Sequence, residues 1–267
     1  LEHVGDLADY ISLHKYVGNH NRNTSDFLAV TNAIDEQIQT IDSACRFMQA
    51  KLRTKKRAYL CFDEWNVWYK EGNLDGKGKF APHLIEERYT MEDALVVAGF
   101  LNSFIRNADV VKIANIAQLV NVIAPIITGE NDILVQSIYY PFKIISSNGK
   151  GISLNLEIDG PGYESKSYGY VDYIDASAIL NQNHLNIFLI GRNVEEQIKI
   201  TIEIGDRSVA KIINCDIVHH NDPKMENTFS NPNAINIKHH QKTELMTNGV
   251  SLAVPPLSFI HLGLELG

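Results

Sequence analysis

A single helical stripe between two short apolar runs constrains the fold of this chain most. Apolar residues recur there at spacings of four, three, four, three and four, in the order Ile34, Ile38, Ile41, Cys45, Met48 and Leu52. This spacing predicts a helix with one apolar face. The flanking runs, at 10–17 and 58–64, are typical of strands. Strand, helix and strand in this order predict two parallel strands joined by a crossover helix, so an α/β fold is expected for the first half.

The same unit is repeated further along the chain. After a Gly- and Lys-rich loop at about 70–82, the residues Thr-Met-Glu-Asp at 90–93 resemble a capping box with Asp in place of Glu, which predicts a helix start. A strand is expected at 110–114, followed by an apolar stretch with a helical tail. Chemistry in parallel sheets lies at the carboxyl ends of the strands. Three polar residues are expected at or just after such ends: His14, Glu64 and Gln118.

The pattern changes near Gly149, where alternation of apolar and polar residues replaces helical spacing. Residues 152–158, 185–190 and 198–204 alternate at least in part, and turn residues separate them. Many short strands with polar turns indicate an antiparallel β-sandwich. We therefore predict two domains, an α/β domain at 1–148 and a sandwich at 149–267. The segment 219–240 is expected to be a long exposed loop of the sandwich.

Composition excludes several classes of protein. The formal net charge is −8 from scattered acids, which argues against nucleic acid or an anionic membrane as a partner, since either requires a basic face. Three widely spaced cysteines offer no disulfide framework and no zinc spacing. Adjacent histidines on a strand face opposite ways, so the pairs at 219–220 and 239–240 can each supply one ligand only. Neither a metal nor another cofactor is expected.

The stretch FDEWNVWYK at 62–70 is the strongest indication of function. A buried strand is expected to end in the carboxylates Asp63 and Glu64, and both tryptophans of the chain, Trp65 and Trp68, follow at once. Aromatic faces suit the C–H side of a sugar, while amide and phenol groups suit its hydroxyls. A retaining glycosidase attacks the anomeric carbon with an ionised carboxylate. Asp63 is expected to be structural, through a loop or helix-end hydrogen bond, and Trp65 to belong to the core.

This stretch resembles the nucleophile motif of glycoside hydrolase family 51, the α-L-arabinofuranosidases. Three further stretches agree in order and spacing: SLHKYVGN at 12–19, ANIAQLVNVIAPI at 114–126 and MENTFSNPNAI at 225–235. The resemblance implies a (β/α)8 barrel followed by a jelly-roll-like β-sandwich, with barrel strands six to eight and the sandwich in this chain. It also implies retaining hydrolysis of terminal α-L-arabinofuranosides.

The resemblance assigns roles to five residues at matching positions. Glu64 matches the nucleophile, His14 lies near it, and Tyr16 helps to hold the sugar. Trp68 matches a wall of the pocket, and Gln118 matches a ligand of a sugar hydroxyl. Structural alternatives stay open for three of them: His14 as a satisfied structural histidine, Trp68 as a core residue, and Gln118 as a tie between backbone groups of a turn.

A second carboxylic acid, roughly 5–5.5 Å from the nucleophile, completes a retaining site. In the family it is a Glu that follows an Asn after an early strand, and no such pair is found at an early strand here. The acids at 86–87 and 92–93 are weak substitutes. We therefore expect the C-terminal portion of an enzyme, inactive alone, whose acid/base lies in a missing N-terminal half.

Three functions remain open at this point. The preferred one is a portion of an arabinofuranosidase that acts on arabinose-containing oligo- and polysaccharides. Related barrels cleave xylosides or β-glucans, and the third alternative is a non-catalytic carbohydrate-binding or scaffold fragment. The expected partners are an arabinofuranoside and either a second copy of the chain or the missing barrel half. The resemblance favours a cytoplasmic location.

Overall fold

The computed structural model describes residues 1–5, 7–69, 80 and 85–267 of the chain. The loop expected at 70–82 therefore lies outside the described residues, apart from position 80. The first part of the chain forms these elements: β1 (Tyr10–Val17), α1 (Thr24–Leu28), α2 (Val30–Leu52), β2 (Tyr59–Val67), α3 (Met91–Arg106), β3 (Val111–Ile116), β4 (Ile126–Thr128), β5 (Ile133–Val135) and α4 (Tyr139–Asn148).

The strands β1, β2 and β3 form a parallel sheet with β2 in the centre. Trp65 of β2 is fully buried, and its ring centroid lies 5.1 Å from that of Phe100 and 5.2 Å from that of Phe104, both on α3. Aromatic pairs of this kind contribute about 0.5–1.5 kcal/mol each beyond the area they bury. The parallel α/β pattern is confirmed for these three strands, and Trp65 is a core residue as expected. The number of strands in a complete barrel stays a prediction.

Helix α2 contains the predicted apolar stripe, but it does not bury the whole stripe. Ile34 and Ile38 are fully buried, and Cys45 is nearly so. Leu52, at the end of the helix, is 39% exposed. The stripe is therefore packed from Ile34 to Cys45, about three turns, and emerges from the core toward its carboxyl end.

Helix α3 is buried along most of its length. Its predicted capping box is present: the Asp93 carboxylate accepts hydrogen bonds from the Thr90 backbone N–H at 2.7 Å and from the Thr90 hydroxyl at 2.9 Å. All residues from Met91 to Phe104 are buried. A helix that is apolar on every side is stable only inside a protein. This helix meets that condition because it packs against both the parallel sheet and the strands that follow α4.

The second part of the chain is antiparallel. Its strands are β6 (Ile152–Leu154), β7 (Gly162–Ser165), β8 (Gly169–Asp172), β9 (Ile174–Asn181), β10 (His184–Gly191), β11 (Ile198–Glu203), β12 (Val209–His219), β13 (Lys238–His239), β14 (Thr243–Met246), β15 (Gly249–Val254) and β16 (Ser258–Leu266). Six of them form one sheet in the order β13-β12-β16-β10-β9-β6, and three form another in the order β11-β15-β14. A shared apolar cluster lies between these sheets, so the predicted sandwich pattern is confirmed.

Strand β10 of the larger sheet does not alternate between buried and exposed residues, because it packs on both faces. Leu189 packs in the cluster between the two sheets. Phe188 and Ile190 point the other way and join the core that contains α3 and the parallel sheet. Both faces of β10 are therefore buried. By contrast, β11 has one exposed face and alternates along its whole length.

The long exposed loop predicted at 219–240 is confirmed only in part: β12 ends at His219, β13 covers Lys238–His239, and the loop between them has many exposed residues but is anchored to the core. Asn227 and Ile235 are buried, and the Asn227 side-chain amide donates to the backbone oxygens of Val135 and Ile235. The first N–H groups of a helix have no partner within it. Here the oxygens of Pro223 and Met225 accept from the first N–H groups of α3. These hydrogen bonds therefore hold the polar segment 220–237 against α3 and β5.

Helix α4 ends at Asn148 and β6 begins at Ile152, so the predicted boundary at 148 falls between two elements. Its status as a domain boundary stays a prediction. Among the described residues, no helix is both long enough and apolar enough to cross a membrane.

Candidate active site

Strands β1 and β2 bring the predicted site residues together because they are neighbours in the parallel sheet. His14 pairs with Glu64 in the strand register, and the register shifts between Leu13 and His14. Glu64 lies inside β2 rather than at its end, because Trp65 and Val67 continue the strand and are buried. The expectation that the strand ends at Glu64 is therefore wrong.

Glu64 is contacted by two side chains of β1. The Tyr16 hydroxyl donates to Glu64 Oε2 at 2.9 Å, and His14 Nδ1 lies 3.4 Å from the same oxygen. Burial raises the pKa of Tyr16 to about 12, and the hydrogen bond to Glu64 and the charge of Glu64 add to this effect. The tyrosine is therefore a stable donor to the carboxylate at neutral pH.

Asp63 lies beside the same histidine. Its carboxylate accepts from the Ser12 hydroxyl at 2.8 and 3.0 Å, and His14 Nε2 lies 3.4 Å from Asp63 Oδ1. The hydrogen bond from Ser12 lowers the pKa of Asp63, with a smaller contribution from His14. Asp63 was expected to bind a loop or a helix end. It binds the neighbouring strand instead, because the irregular register lets both carboxylates face one ring.

The two tryptophans lie in different environments, one in the core and one beside the candidate site. Trp65 points into the core, whereas Trp68 follows the end of β2 and packs against Tyr16. The ring centroids of Tyr16 and Trp68 are 5.2 Å apart in an edge-to-face arrangement. Trp68 therefore braces the tyrosine that contacts Glu64.

Gln118 lies in the loop after β3, and its side chain is exposed. Its backbone N–H donates to the Ile123 oxygen at 3.2 Å. Asn66 fixes this loop from β2: its buried side-chain amide donates to the oxygens of Ala117 at 2.7 Å and Ile123 at 2.6 Å. Sequence reasoning missed Asn66. The available signal was a lone amide between two core residues of a strand, Trp65 and Val67.

The weak substitute acids Glu92 and Asp93 do not face the site. Both are fully buried at the start of α3. Glu92 accepts from Asn19 at 3.0 Å and from Thr24 at 2.7 Å, and it also pairs with Lys224. Acids suit this end of a helix because of its dipole.

Asp93 is held from two directions. It accepts from Thr90 and, at 2.5 Å, from the Tyr69 hydroxyl. Burial raises the pKa of Asp93 to about 7. Asn19 follows β1 and Tyr69 follows β2. The two acids at the start of α3 therefore hold the strand ends next to the site.

A parallel sheet that carries a carboxylate between a histidine and a tyrosine, followed by an antiparallel sandwich, defines the architecture that the resemblance to glycoside hydrolase family 51 implies. The comparisons with known proteins agree. Residues 63–258 match the family model described as "Alpha-L-arabinofuranosidase C-terminal domain". The chain belongs to this family, and the resemblance to family 51 is confirmed.

Curated relatives and solved structures extend this result. The chain is 38% identical to "Intracellular exo-alpha-(1->5)-L-arabinofuranosidase" of Acetivibrio thermocellus, over 86% of this chain and 48% of that protein. It is 35% identical to "Intracellular exo-alpha-(1->5)-L-arabinofuranosidase 1" of Bacillus subtilis, over 97% of this chain and 53% of that protein. A solved family 51 alpha-L-arabinofuranosidase from Bifidobacterium longum matches with a TM-score of 0.88 and 27% identity, over 96% of this chain and 53% of that chain. The chain thus spans about half the length of these relatives.

Proposed function

We propose that this chain is the nucleophile-bearing, C-terminal portion of a retaining α-L-arabinofuranosidase, with Glu64 as nucleophile. The observation that carries the proposal is the contact of one carboxylate with Tyr16 and His14 at the carboxyl side of a parallel sheet. Two curated relatives with identities of 38% and 35% are named arabinofuranosidases. In this proposal β1, β2 and β3 are strands six, seven and eight of a barrel.

Each site residue has a chemical task in the proposed reaction. Glu64 attacks the anomeric carbon, so that a glycosyl ester forms as the leaving group departs with its bonding electrons. Tyr16 donates a hydrogen bond that keeps Glu64 ionised and oriented. Trp68 forms a wall of the sugar pocket, and Gln118 binds a sugar hydroxyl from the loop after β3.

The general acid is proposed to come from residues outside this sequence. A general acid needs a pKa near the working pH, and Asp63, the carboxylate beside Glu64, has a lowered pKa. Glu92 and Asp93 are buried in contacts at the start of α3. The match to only about half of each relative supports a partner segment that provides this acid. The chain alone is then inactive toward unactivated substrates.

The biological setting follows from the same relatives. Two of them are named intracellular enzymes that act on α-(1->5)-linked L-arabinofuranosyl groups. We therefore infer an intracellular role in carbohydrate metabolism, with arabinose-containing oligosaccharides as substrates. Homo-oligomerisation stays a prediction, and light scattering of the purified chain measures it.

An activated substrate tests the nucleophile without the general acid. Dinitrophenolate leaves without protonation, so dinitrophenyl α-L-arabinofuranoside needs only the nucleophile for the first step. We expect one arabinosyl adduct on the chain, detected by intact mass, and peptide mapping should locate it on Glu64. The Glu64→Gln variant should acquire none.

Three tests separate the alternatives. Faster reaction with the matching xyloside or β-glucoside would contradict the arabinofuranoside assignment and support a related glycosidase. Labelling at any residue other than Glu64 would contradict the nucleophile assignment. If both the unaltered chain and Glu64→Gln bind arabinan and neither acquires an adduct, the alternative of a non-catalytic carbohydrate-binding or scaffold fragment is favoured.

A further inference from the structure

We propose that a cavity between α2, β8 and the segment 155–161 binds one sugar unit of a neutral oligosaccharide. This second site shares no residue with the candidate active site around Glu64, so the inference goes beyond the proposed function. Only the choice of an arabino-oligosaccharide as the ligand rests on the proposed function, because the chemistry of the cavity does not depend on the role of Glu64.

The cavity lies where the first part of the chain meets the second. Its volume is about 220 Å³, and its polar wall is formed by Asn32 of α2, Arg106 of α3, Asp172 of β8, Asp175 of β9 and Arg192 after β10. Pockets for drug-sized ligands are larger, roughly 300–1,000 Å³. The smaller cavity suits one sugar unit, with the rest of an oligosaccharide outside.

The charged groups of the cavity point to a neutral ligand. The Asp175 carboxylate lies between two guanidinium groups, 2.5 Å from Arg106 Nη1 and 3.0 Å from Arg192 Nη2. Asp35 also pairs with Arg106, so no guanidinium charge is in excess. An anion would lie beside Asp172, and a cation would lie beside the two guanidinium groups. Because like charges side by side repel each other, both kinds of ion are disfavoured.

Hydrogen-bonding capacity remains in the same cavity. Val171 of β8 is buried, so its neighbours Tyr170 and Asp172 point to the opposite face, where the cavity lies. Among the residues that the structure describes, none donates to the Asp172 carboxylate or forms an ion pair with it. The Asn32 side-chain oxygen accepts from Arg192 at 3.4 Å, but its amide N–H groups have no acceptor in the described part of the chain. A hydroxyl is both donor and acceptor, so sugar hydroxyls can satisfy both groups.

The apolar residues of the cavity suit the C–H face of a sugar. Tyr170 is 56% exposed, and the end of its ring lies over Gly162, where a Cβ would be 2.7 Å from Tyr170 Cζ. The glycine therefore leaves room for this ring. Leu156 and Ile158 of the segment 155–161 line the cavity and are each 39% exposed. A sugar that binds here removes this apolar surface from water.

The cavity is expected to bind a sugar without cleaving it. A glycosidase site needs two carboxyl groups, one of which must hold a proton as the general acid. Burial acts to raise the pKa of Asp175, but the two guanidinium groups outweigh burial and hold this pKa below its usual range. Asp175 therefore stays ionised, and Asp172 is the one other carboxylate of the cavity wall among the described residues.

Methyl NMR of the chain tests the inference without any turnover. The isoleucine methyl groups are ¹³C-labelled, and the chain is titrated with an arabinotriose of the α-(1->5) linkage named for two relatives. The Ile158 signal, assigned by its loss in Ile158→Val, should shift and saturate. Asp172→Ala removes a hydrogen bond to a charged group and should raise the Kd roughly tenfold. Tyr170→Ala should also raise it, and neither inorganic phosphate nor Ca²⁺ should shift Ile158.

The matched controls lie outside the cavity wall. Asp206→Ala removes a carboxylate between β11 and β12, and Phe229→Ala removes an aromatic side chain that is 47% exposed. Both should leave the Ile158 titration unchanged. A preserved methyl spectrum shows that a variant is folded. If a variant of β8 does not fold, Asn32→Ala makes the same comparison from α2.

The outcomes separate this inference from the proposed function. It is overturned if arabinotriose causes no saturable shift of Ile158, or if Asp172→Ala and Tyr170→Ala bind as tightly as the unaltered chain. A response to phosphate or Ca²⁺ in place of arabinotriose would overturn the neutral ligand. Tyr170→Ala should still acquire the arabinosyl adduct on Glu64. An adduct on Glu64 with a silent Ile158 overturns this inference alone, whereas a responsive Ile158 with an adduct elsewhere overturns only the nucleophile.

Discussion

At the scale of single residues, Tyr16 reports on the charge of Glu64. The pKa of Tyr16 is raised to about 12 by burial first, and then by the hydrogen bond and charge of Glu64. We predict that Glu64→Gln lowers this pKa toward the ordinary value of 10.0, without reaching it because the burial remains. A pH titration of the chain with ¹³C-labelled tyrosine, with Tyr16 assigned by Tyr16→Phe, measures the change.

The chain contains its own control for this titration. Tyr163 also has a pKa of about 12, but its hydroxyl donates to the Ser25 oxygen and burial is the main cause. Its midpoint should not move in Glu64→Gln, and equal shifts of both tyrosines would contradict the prediction. The linked effect on stability has a definite sign. Between pH 10 and 12 the folded chain keeps a proton that the unfolded chain loses, so the Tyr16 contribution to stability falls as pH rises.

Which of these residue contacts could be predicted depends on how regular the strands are. The closeness of His14 and Glu64 follows from two parallel strands whose polar residues lie at one edge, but their pairing does not, because a regular register after Leu13 would pair His14 with Asp63. The contact of Asp63 with Ser12 and His14 depends on a register shift after Leu13. Strand periodicity alone places neighbouring side chains on opposite faces, so it could not predict that contact.

At the scale of elements, Asn66 of β2 sets the position of the loop that carries Gln118. Removing its side chain in Asn66→Ala takes the hydrogen bond from the Ala117 oxygen and the acceptor from the Val67 N–H, whereas the Ile123 oxygen still accepts from the Gln118 N–H. Unsatisfied buried groups cost about 1–3 kcal/mol each. We predict a loss of about 2–4 kcal/mol in the free energy of unfolding, measured by urea denaturation.

The matched control is Asn148→Ala. Asn148 donates one hydrogen bond to the Ile144 oxygen at the end of α4 and is only partly buried, so its loss should cost about 1 kcal/mol or less. Equal losses in the two variants would show that Asn66 does not clamp the loop. If Gln118 binds the sugar, Asn66→Ala should also weaken arabinose binding, whereas Asn148→Ala should not.

Elements with strong local signals were predictable, and those defined by distant partners were not. The stripe of α2 and the capping box of α3 are local, and both helices are present. The hairpin β4–β5 is an exception: the polar residues at 129–132 separate two short apolar runs and are a local turn signal, which the prediction of one apolar stretch did not use. The burial of both faces of β10 depends on α3, far away in sequence, so no window around β10 could indicate it.

At the scale of the whole molecule, α3 joins the parallel sheet to the sandwich. Arg106 near its end donates to Asp175 of β9 at 2.5 Å, and Arg192 contacts the other Asp175 oxygen at 3.0 Å. Burial acts to raise the pKa of Asp175, but the two guanidinium groups outweigh it and hold this pKa below its usual range. The two parts of the chain therefore share charges as well as an apolar core. The sequence pattern changes from helical spacing to apolar–polar alternation near residue 148, and it does not indicate this coupling between the two parts.

The segment 220–237 also connects the sandwich to α3, because Lys224 of this segment forms an ion pair with Glu92 of α3. Glu92 is fully buried, and Lys224 is about half exposed. Lys224→Met removes the cation and leaves a buried carboxylate whose remaining donors, among the residues that the structure describes, are the neutral side chains of Asn19 and Thr24. A broken buried pair costs about 3–5 kcal/mol, and the exposure of Lys224 reduces this, so we predict a loss of about 1–3 kcal/mol in the free energy of unfolding.

A double variant identifies the origin of that loss. If the cost comes from the uncompensated charge of Glu92, then Glu92→Gln combined with Lys224→Met should be more stable than Lys224→Met alone, because the glutamine keeps a polar group beside Asn19 and Thr24 without a charge. The control Lys238→Met removes an exposed lysine of β13 and should change stability by about 0.5 kcal/mol or less. A double variant less stable than Lys224→Met would contradict this account. Glu92 also accepts a hydrogen bond from Asn19, which follows β1. Lys224→Met should therefore affect the strand ends beside Tyr16 as well as the sandwich.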